Sequence, residues 1–122
     1  MDFSDKYSGL PRFDMDEALR RCMGKKDFLE ELSKIFVNES LIMYLPGLEK
    51  GMLEKDFTLI VKNAHGIKGG CGAIGLIRSR DIAYDLEMAG KATDYESAEK
   101  IYPALLGELD EVKQLIDNGI AG

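Results

Sequence analysis

Between Phe57 and Cys71 the apolar residues fall at Phe57, Ile60, Ala64, Ile67 and Cys71, in steps of three, four, three and four. That rhythm lays one apolar stripe along a helix and none along a strand. It recurs through most of the chain. Asp14 and Glu17 have the spacing of a capped helix start, and Met15, Leu19 and Cys22 follow on one stripe before Gly24 ends it. A second helix is predicted from about Lys26, burying Phe28, Leu32, Ile35 and Phe36. Pro46 and Gly47 predict a kink or a break, after which Leu48, Met52 and Leu53 form a third segment. Asp56 is placed to cap the fourth helix, and a fifth from about Gly75 to Ala89 buries Ser79, Ile82, Ala83, Leu86 and Ala89. Thr93 and Glu96 predict a capping box for a sixth, whose stripe runs through Ala98, Ile101, Tyr102, Leu105, Leu109, Val112 and Ile116. Pro103 inside that stripe predicts a bend or a split. Only Thr58–Val61 could pass for a strand. The expected fold is all-α: an up-down four-helix bundle with additional N-terminal helices, residues 13–122 forming one domain behind an N-terminal tail, 1–12.

Composition narrows the function. The 122 residues carry a net charge of −6, which opposes binding to nucleic acid or to an anionic membrane surface. No apolar run approaches the roughly 20 residues that span a bilayer, and residues 1–12 lack the apolar core of a signal peptide. A cytoplasmic location and a monomeric state are the expectations. Cys22 and Cys71 stand 49 positions apart, without metal or redox spacing, and are expected buried and reduced. With one histidine, no His/Cys metal cluster is possible.

That histidine sits in the chain's most unusual stretch, residues 64–76, AHGIKGGCGAIGL. Five of the eleven residues from His65 to Gly75 are glycine. Inside a helix, Gly66, Gly69 and Gly70 each cost about 1 kcal/mol relative to alanine. The total, near 3 kcal/mol, is large against a domain stability of about 5–15 kcal/mol. At about 100° per residue, His65 points roughly 120° away from the apolar stripe, so it is expected on the surface. Lys68 and Gly69, three and four positions on, neighbour it, and Gly72 continues the face. An exposed imidazole is a competent nucleophile near neutral pH, and an ammonium beside it can offset the charge of an arriving phosphoryl group. The commoner fate of a lone surface histidine is no role at all; the glycine cluster and the phased lysine weigh against that. Gly70, Gly72 and Gly75 also spell G-x-G-x-x-G, but no strand leads into the first glycine and no βα units follow.

His65-Gly66-Ile67-Lys68-Gly69, followed by Gly72 and by Gly75-Leu76, resembles the H-x-[IL]-K-G-x-x-x-x-x-G signature of histidine-containing phosphotransfer (HPt) domains. Phe28-Leu29-Glu30-Glu31-Leu32 with Phe36 is similar to that family's first long helix, and Asp85-Leu86-Glu87-Met88-Ala89 to its L-E-x-A segment. The resemblance covers about residues 14–118. It implies a phosphorelay carrier that accepts a phosphoryl group from a receiver-domain aspartate onto His65 and passes it to another receiver. Lys68 would stabilise the phosphate, and Gly69, Gly72 and Lys62 would form the partner-docking face. The carrier would have no ATP site and no cofactor of its own; Mg²⁺ would belong to the receiver partner. Two alternatives stay open at this point: the phosphorylated domain of a chemotaxis-type histidine kinase, and a helical adaptor that is never phosphorylated.

Overall fold

The computed structural model describes residues 3–119; the ends of the expected tail and of the expected domain, residues 1–2 and 120–122, lie outside the described residues. Six α-helices follow a short 3₁₀ turn, Phe3–Tyr7: α1 Met15–Arg21, α2 Lys26–Ile35, α3 Leu41–Glu54, α4 Phe57–Ala73, α5 Ile77–Lys91 and α6 Tyr95–Asp117. Residues 36–40 join α2 to α3 through a widened π turn, in which Leu41 N–H donates to the Phe36 carbonyl. No strand occurs among the described residues, and Thr58–Val61 is helical. None of the helices is long and apolar enough to cross a membrane.

Side-chain caps explain three of the six helix starts. Asp14, Asp56 and Asp94 each accept from the backbone N–H three residues on. The last replaces the expected Thr93/Glu96 box. Thr93 instead takes a left-handed φ of 52° where α5 ends, and Asp94 also accepts from the Ser97 hydroxyl.

α3 packs on α4, α4 on α5, and α5 on α6. The expected four-helix bundle is therefore present, with α1 and α2 added at its N-terminal side. Its core holds the stripes read from the sequence: Ile60, Ala64, Ile67 and Cys71 of α4, Ile82, Ala83 and Leu86 of α5, and Leu105, Leu109, Val112 and Ile116 of α6.

Four expectations are corrected. In α2, Leu29, Ser33 and then Phe36 turn inward, while Phe28 and Ile35 face outward. Ser33 can be buried because its hydroxyl donates to the Leu29 carbonyl, so a polar residue marks the inner face where an apolar one was expected. Leu53, placed on the third stripe, is exposed as well. Second, of the kink or break expected at Pro46 and Gly47 the break does not occur, since α3 runs from Leu41 to Glu54. Pro46 lies on the outer side, where the carbonyl it leaves without an intrahelical partner can reach water. Gly47 is required by packing, since a Cβ there would lie 2.6 Å from the Asn63 side chain of α4. Third, of the bend or split expected at Pro103 the split does not occur, since α6 runs continuously from Tyr95 to Asp117.

Fourth, residues 3–12 are not a free tail. Tyr7 is buried, and its hydroxyl donates to Asp85 at 2.6 Å. The Arg78 guanidinium donates to the Leu10 carbonyl, and Arg12 pairs with the buried Glu108 at 2.7 Å. These anchors use side chains more than 65 positions away, so local pattern could not reveal them.

Cys22 and Cys71 are both fully buried. Burial pushes the Cys71 thiol well above its usual range. Both should react with thiol reagents only as fast as the domain opens. Native-state labelling with a chromogenic disulfide reagent checks this; modification of Cys71 at the rate of a free thiol would contradict the packing of α4.

Candidate functional site

His65 stands in the middle of α4 with its side chain 65% exposed, and its Nδ1 lies 3.0 Å from Glu87 Oε2 on α5. Glu87 is the centre of the arrangement. Its side chain is only 3% exposed, yet it faces three cationic or ionisable groups. Lys68 Nζ sits 2.7 Å from Oε1, and Lys91 Nζ sits 3.2 Å from Oε2. Lys68 also lies over the Tyr84 ring, 5.5 Å from its centroid. Sequence spacing makes this geometry possible. His65 and Lys68 are one turn apart on α4, Glu87 and Lys91 one turn apart on α5, and the two helices run antiparallel in contact.

Burial alone would raise the Glu87 pKa, but hydrogen bonds from Lys68, His65 and Lys91 outweigh it and hold the carboxyl down at about 2. Glu87 is therefore an anion at any ordinary pH and can only accept hydrogen bonds. His65 Nδ1 must then carry the proton in that contact, which leaves the lone pair of a neutral ring on Nε2. The carboxylate thus selects the tautomer and the ring's orientation, and the exposed edge carries the nucleophilic nitrogen.

Linkage follows with a definite sign. The Glu87 carboxyl titrates at about 2 in the folded state, against 4.5 for an unperturbed glutamate. Its ionised form therefore contributes stability above pH 4.5, and that contribution is lost as pH falls from 4.5 toward 2. Glu87→Gln should flatten this part of the acid-stability profile. Thermal unfolding followed from neutral pH into that range checks it.

The glycines divide into two kinds that the sequence did not separate. Cβ atoms at Gly66 and Gly70 would lie 2.3 Å and 2.6 Å from the rings of Tyr44 and Phe36. Both admit an aromatic ring to the surface of α4. At Gly69 a Cβ would meet nothing within 4 Å, and at Gly72 it would make ordinary contact with Arg80 at 3.6 Å. The bare strip beside His65 is thus built of Gly69 and Gly72, while Gly66 and Gly70 serve packing. Gly69→Ala should stabilise the domain by about 0.4–1 kcal/mol. Gly70→Ala should destabilise it by about 1–3 kcal/mol, because the buried Phe36 ring must shift. Chemical denaturation of the two variants checks the contrast.

Lys62 is exposed one turn before His65, on the same helix. Of the residues singled out in the sequence, His65 and Lys68 are thus brought together on one carboxylate. Gly69, Gly72 and Lys62 extend along the exposed side of α4. Glu87 and Lys91 received no role from the sequence. The available signal was an acid inside the buried set of α5, beside Leu86 and in phase with Ala83 and Gly90.

The family model of the Hpt domain matches residues 26–116. The chain belongs to the Hpt domain family. The match spans α2 to nearly the end of α6 and includes the His65 site. Among curated proteins, this Hpt domain is similar to the phosphorelay intermediate protein rdeA of Dictyostelium discoideum, with 31% identity over 107 residues. That alignment covers 88% of this chain but 42% of rdeA, so the chain spans less than half the length of that relative. No solved structure matches at the same stringency.

Proposed function

We propose that this Hpt domain is a phosphorelay carrier with His65 as its phosphoacceptor. The supporting observation is the exposed imidazole whose Nδ1 is held by a buried, ionised carboxylate. In the reaction, the Nε2 lone pair attacks the phosphorus of an aspartyl phosphate on a receiver domain. The N–P bond forms, the P–O bond to the aspartyl carboxyl breaks, and the carboxylate leaves with the electron pair. The Nδ1 proton stays in place throughout. As Nε2 gives up its lone pair, positive charge develops on the ring, directly against the Glu87 carboxylate. A fixed counter-charge at that position stabilises the transition state more than the ground state. Passage of the phosphoryl group to a second receiver is the same step in reverse.

Lys68 has a second task in this reading. Its ammonium is one turn from His65, and its side chain is about a quarter exposed, at 26%. It can turn from Glu87 to an incoming phosphoryl oxygen while Lys91 keeps Glu87 paired. Lys62, Gly69 and Gly72 form the docking face, and Gly69 leaves clearance for a partner's active site. The carrier contributes no nucleotide site and no cofactor; Mg²⁺ belongs to the receiver. The relative rdeA carries the name of a phosphorelay intermediate, which supports the same role here.

The test is incubation with a receiver domain carrying a radiolabelled aspartyl phosphate, followed by peptide mapping. Label should appear on His65. Gly69→Leu should keep the fold and slow transfer, because the new side chain would stand where a partner must approach. Transfer at the wild-type rate in that variant would remove the clearance role of Gly69.

A further inference from the structure

The chain holds five tyrosines, and four of them, Tyr7, Tyr44, Tyr95 and Tyr102, pack into the core or against it. Tyr84 does not. It is 47% exposed on α5, a position where a charged straight-chain residue would suit the helix better. What its ring meets is Lys68 of α4, whose ammonium lies 5.5 Å from the ring centroid. Tyr84 stands one turn before Glu87 on the same side of α5. Lys68 therefore has two neighbours on that helix, a buried carboxylate and a half-exposed aromatic face.

We propose that Tyr84 is a positioning residue for phosphoryl transfer, its ring guiding the Lys68 ammonium from Glu87 to the arriving phosphoryl group. The inference rests on the carrier reading and deepens it. In the resting domain Lys68 Nζ is 2.7 Å from Glu87 Oε1. Its side chain, 26% exposed, lies between the carboxylate at 3% and the tyrosine at 47%. To reach a phosphoryl oxygen on His65, the ammonium must leave the buried end of that path and move toward solvent. There its long flexible stem and strong hydration would draw it away from the site. A ring face attracts a cation within about 6 Å of its centroid. It also sets no sharp donor angle, unlike a carboxylate oxygen. The Tyr84 face thus holds the ammonium beside His65 after the contact with Glu87 is given up. The π face supplies this attraction, so the ring is needed and the hydroxyl is not.

Single-turnover transfer from a receiver domain carrying a radiolabelled aspartyl phosphate tests it, with the full chain and a range of receiver concentrations. Tyr84→Leu, which keeps an apolar side chain but removes the π face, should slow transfer at saturating receiver by about three- to tenfold. The receiver concentration giving half the maximal rate should change little. Tyr84→Phe should restore the rate. In a Lys68→Met background, Tyr84→Leu should cost nothing further, because the ring acts only through the ammonium. Proton NMR supplies a readout that needs no transfer: the Lys68 Cε protons should show an upfield ring-current shift in the wild type and in Tyr84→Phe, and lose it in Tyr84→Leu. Transfer at the wild-type rate by Tyr84→Leu overturns the proposal. So does a loss that persists in the Lys68→Met background or falls only on the half-saturating concentration, since Tyr84 would then touch the receiver itself. A wild-type domain that takes no label on His65 overturns the carrier reading and this inference together, whereas a labelled wild type matched by Tyr84→Leu overturns this inference alone.

Discussion

His65→Gln should abolish phosphoryl transfer to the domain, with label reduced to background, while the fold survives. The residue is the only histidine in the chain, so no second imidazole can substitute. Its side chain is 65% exposed and contributes little to packing, so unfolding stability should change by no more than about 0.5–1 kcal/mol. A glutamine amide can still donate toward Glu87, which keeps the local charge arrangement. The label on the wild-type domain should be acid-labile and alkali-stable, as the N–P bond of a phosphoramidate is. Parallel measurements of label incorporation and thermal unfolding separate the two effects. Acid-stable label, or label that persists in the variant, would move the acceptor to a hydroxyl or carboxyl side chain and end the His65 assignment.

Glu87→Ala carries the second large effect, and it should fall on rate more than on stability. Removing the carboxylate releases the ring to rotate and to exchange tautomers, and it removes the counter-charge that faces the developing imidazolium. A loss of about tenfold or more in transfer rate is expected, equivalent to about 1.4 kcal/mol or more of transition-state stabilisation. Two of its hydrogen-bond partners, Lys91 and His65, are themselves more than half exposed, at 54% and 65%. Once unpaired they can be hydrated, so the stability penalty should be smaller than for stranding a charge in the core. Nitrogen NMR of the imidazole adds a readout that bulk destabilisation would not mimic. Nδ1 should carry the proton in the wild type and share it with Nε2 in the variant. Wild-type transfer by Glu87→Ala would reduce the carboxylate to a structural counter-ion for Lys68 and Lys91.

The contrast between α4 and α2 shows what periodicity alone can settle. In α4 the one buried polar residue, Asn63, lies beside an unbroken apolar set, Ile60, Ala64, Ile67 and Cys71, so the stripe and the outward direction of His65 followed from spacing. In α2 the inward set includes Ser33, which satisfies its hydroxyl on the preceding turn, and two large apolar residues face out instead. An apolar pattern misplaces a helix when, as in α2, a self-satisfied polar residue takes an inner position while large apolar residues face out. Pro46 and Pro103 make a related point. Each removes one backbone donor, but packing along the remainder of α3 and α6 outweighs that local loss.

The sequence by itself determined the helical class, the capped starts of α1 and α4, the burial of both cysteines, and the shared face of His65, Lys68 and Gly69. All of these depend on residues within a few turns of one another. Tertiary structure alone decided that Gly66 and Gly70 make room for Tyr44 and Phe36 while Gly69 stays open. It decided that residues 3–12 are strapped to α5 and α6 through Asp85, Arg78 and Glu108. It also decided that one buried carboxylate, 22 positions from His65, sets which ring nitrogen is free to react. The physical reason is common to the three: each depends on which side chain a neighbouring helix brings within a few ångströms, and that follows from how the helices pack and not from the spacing along any one of them.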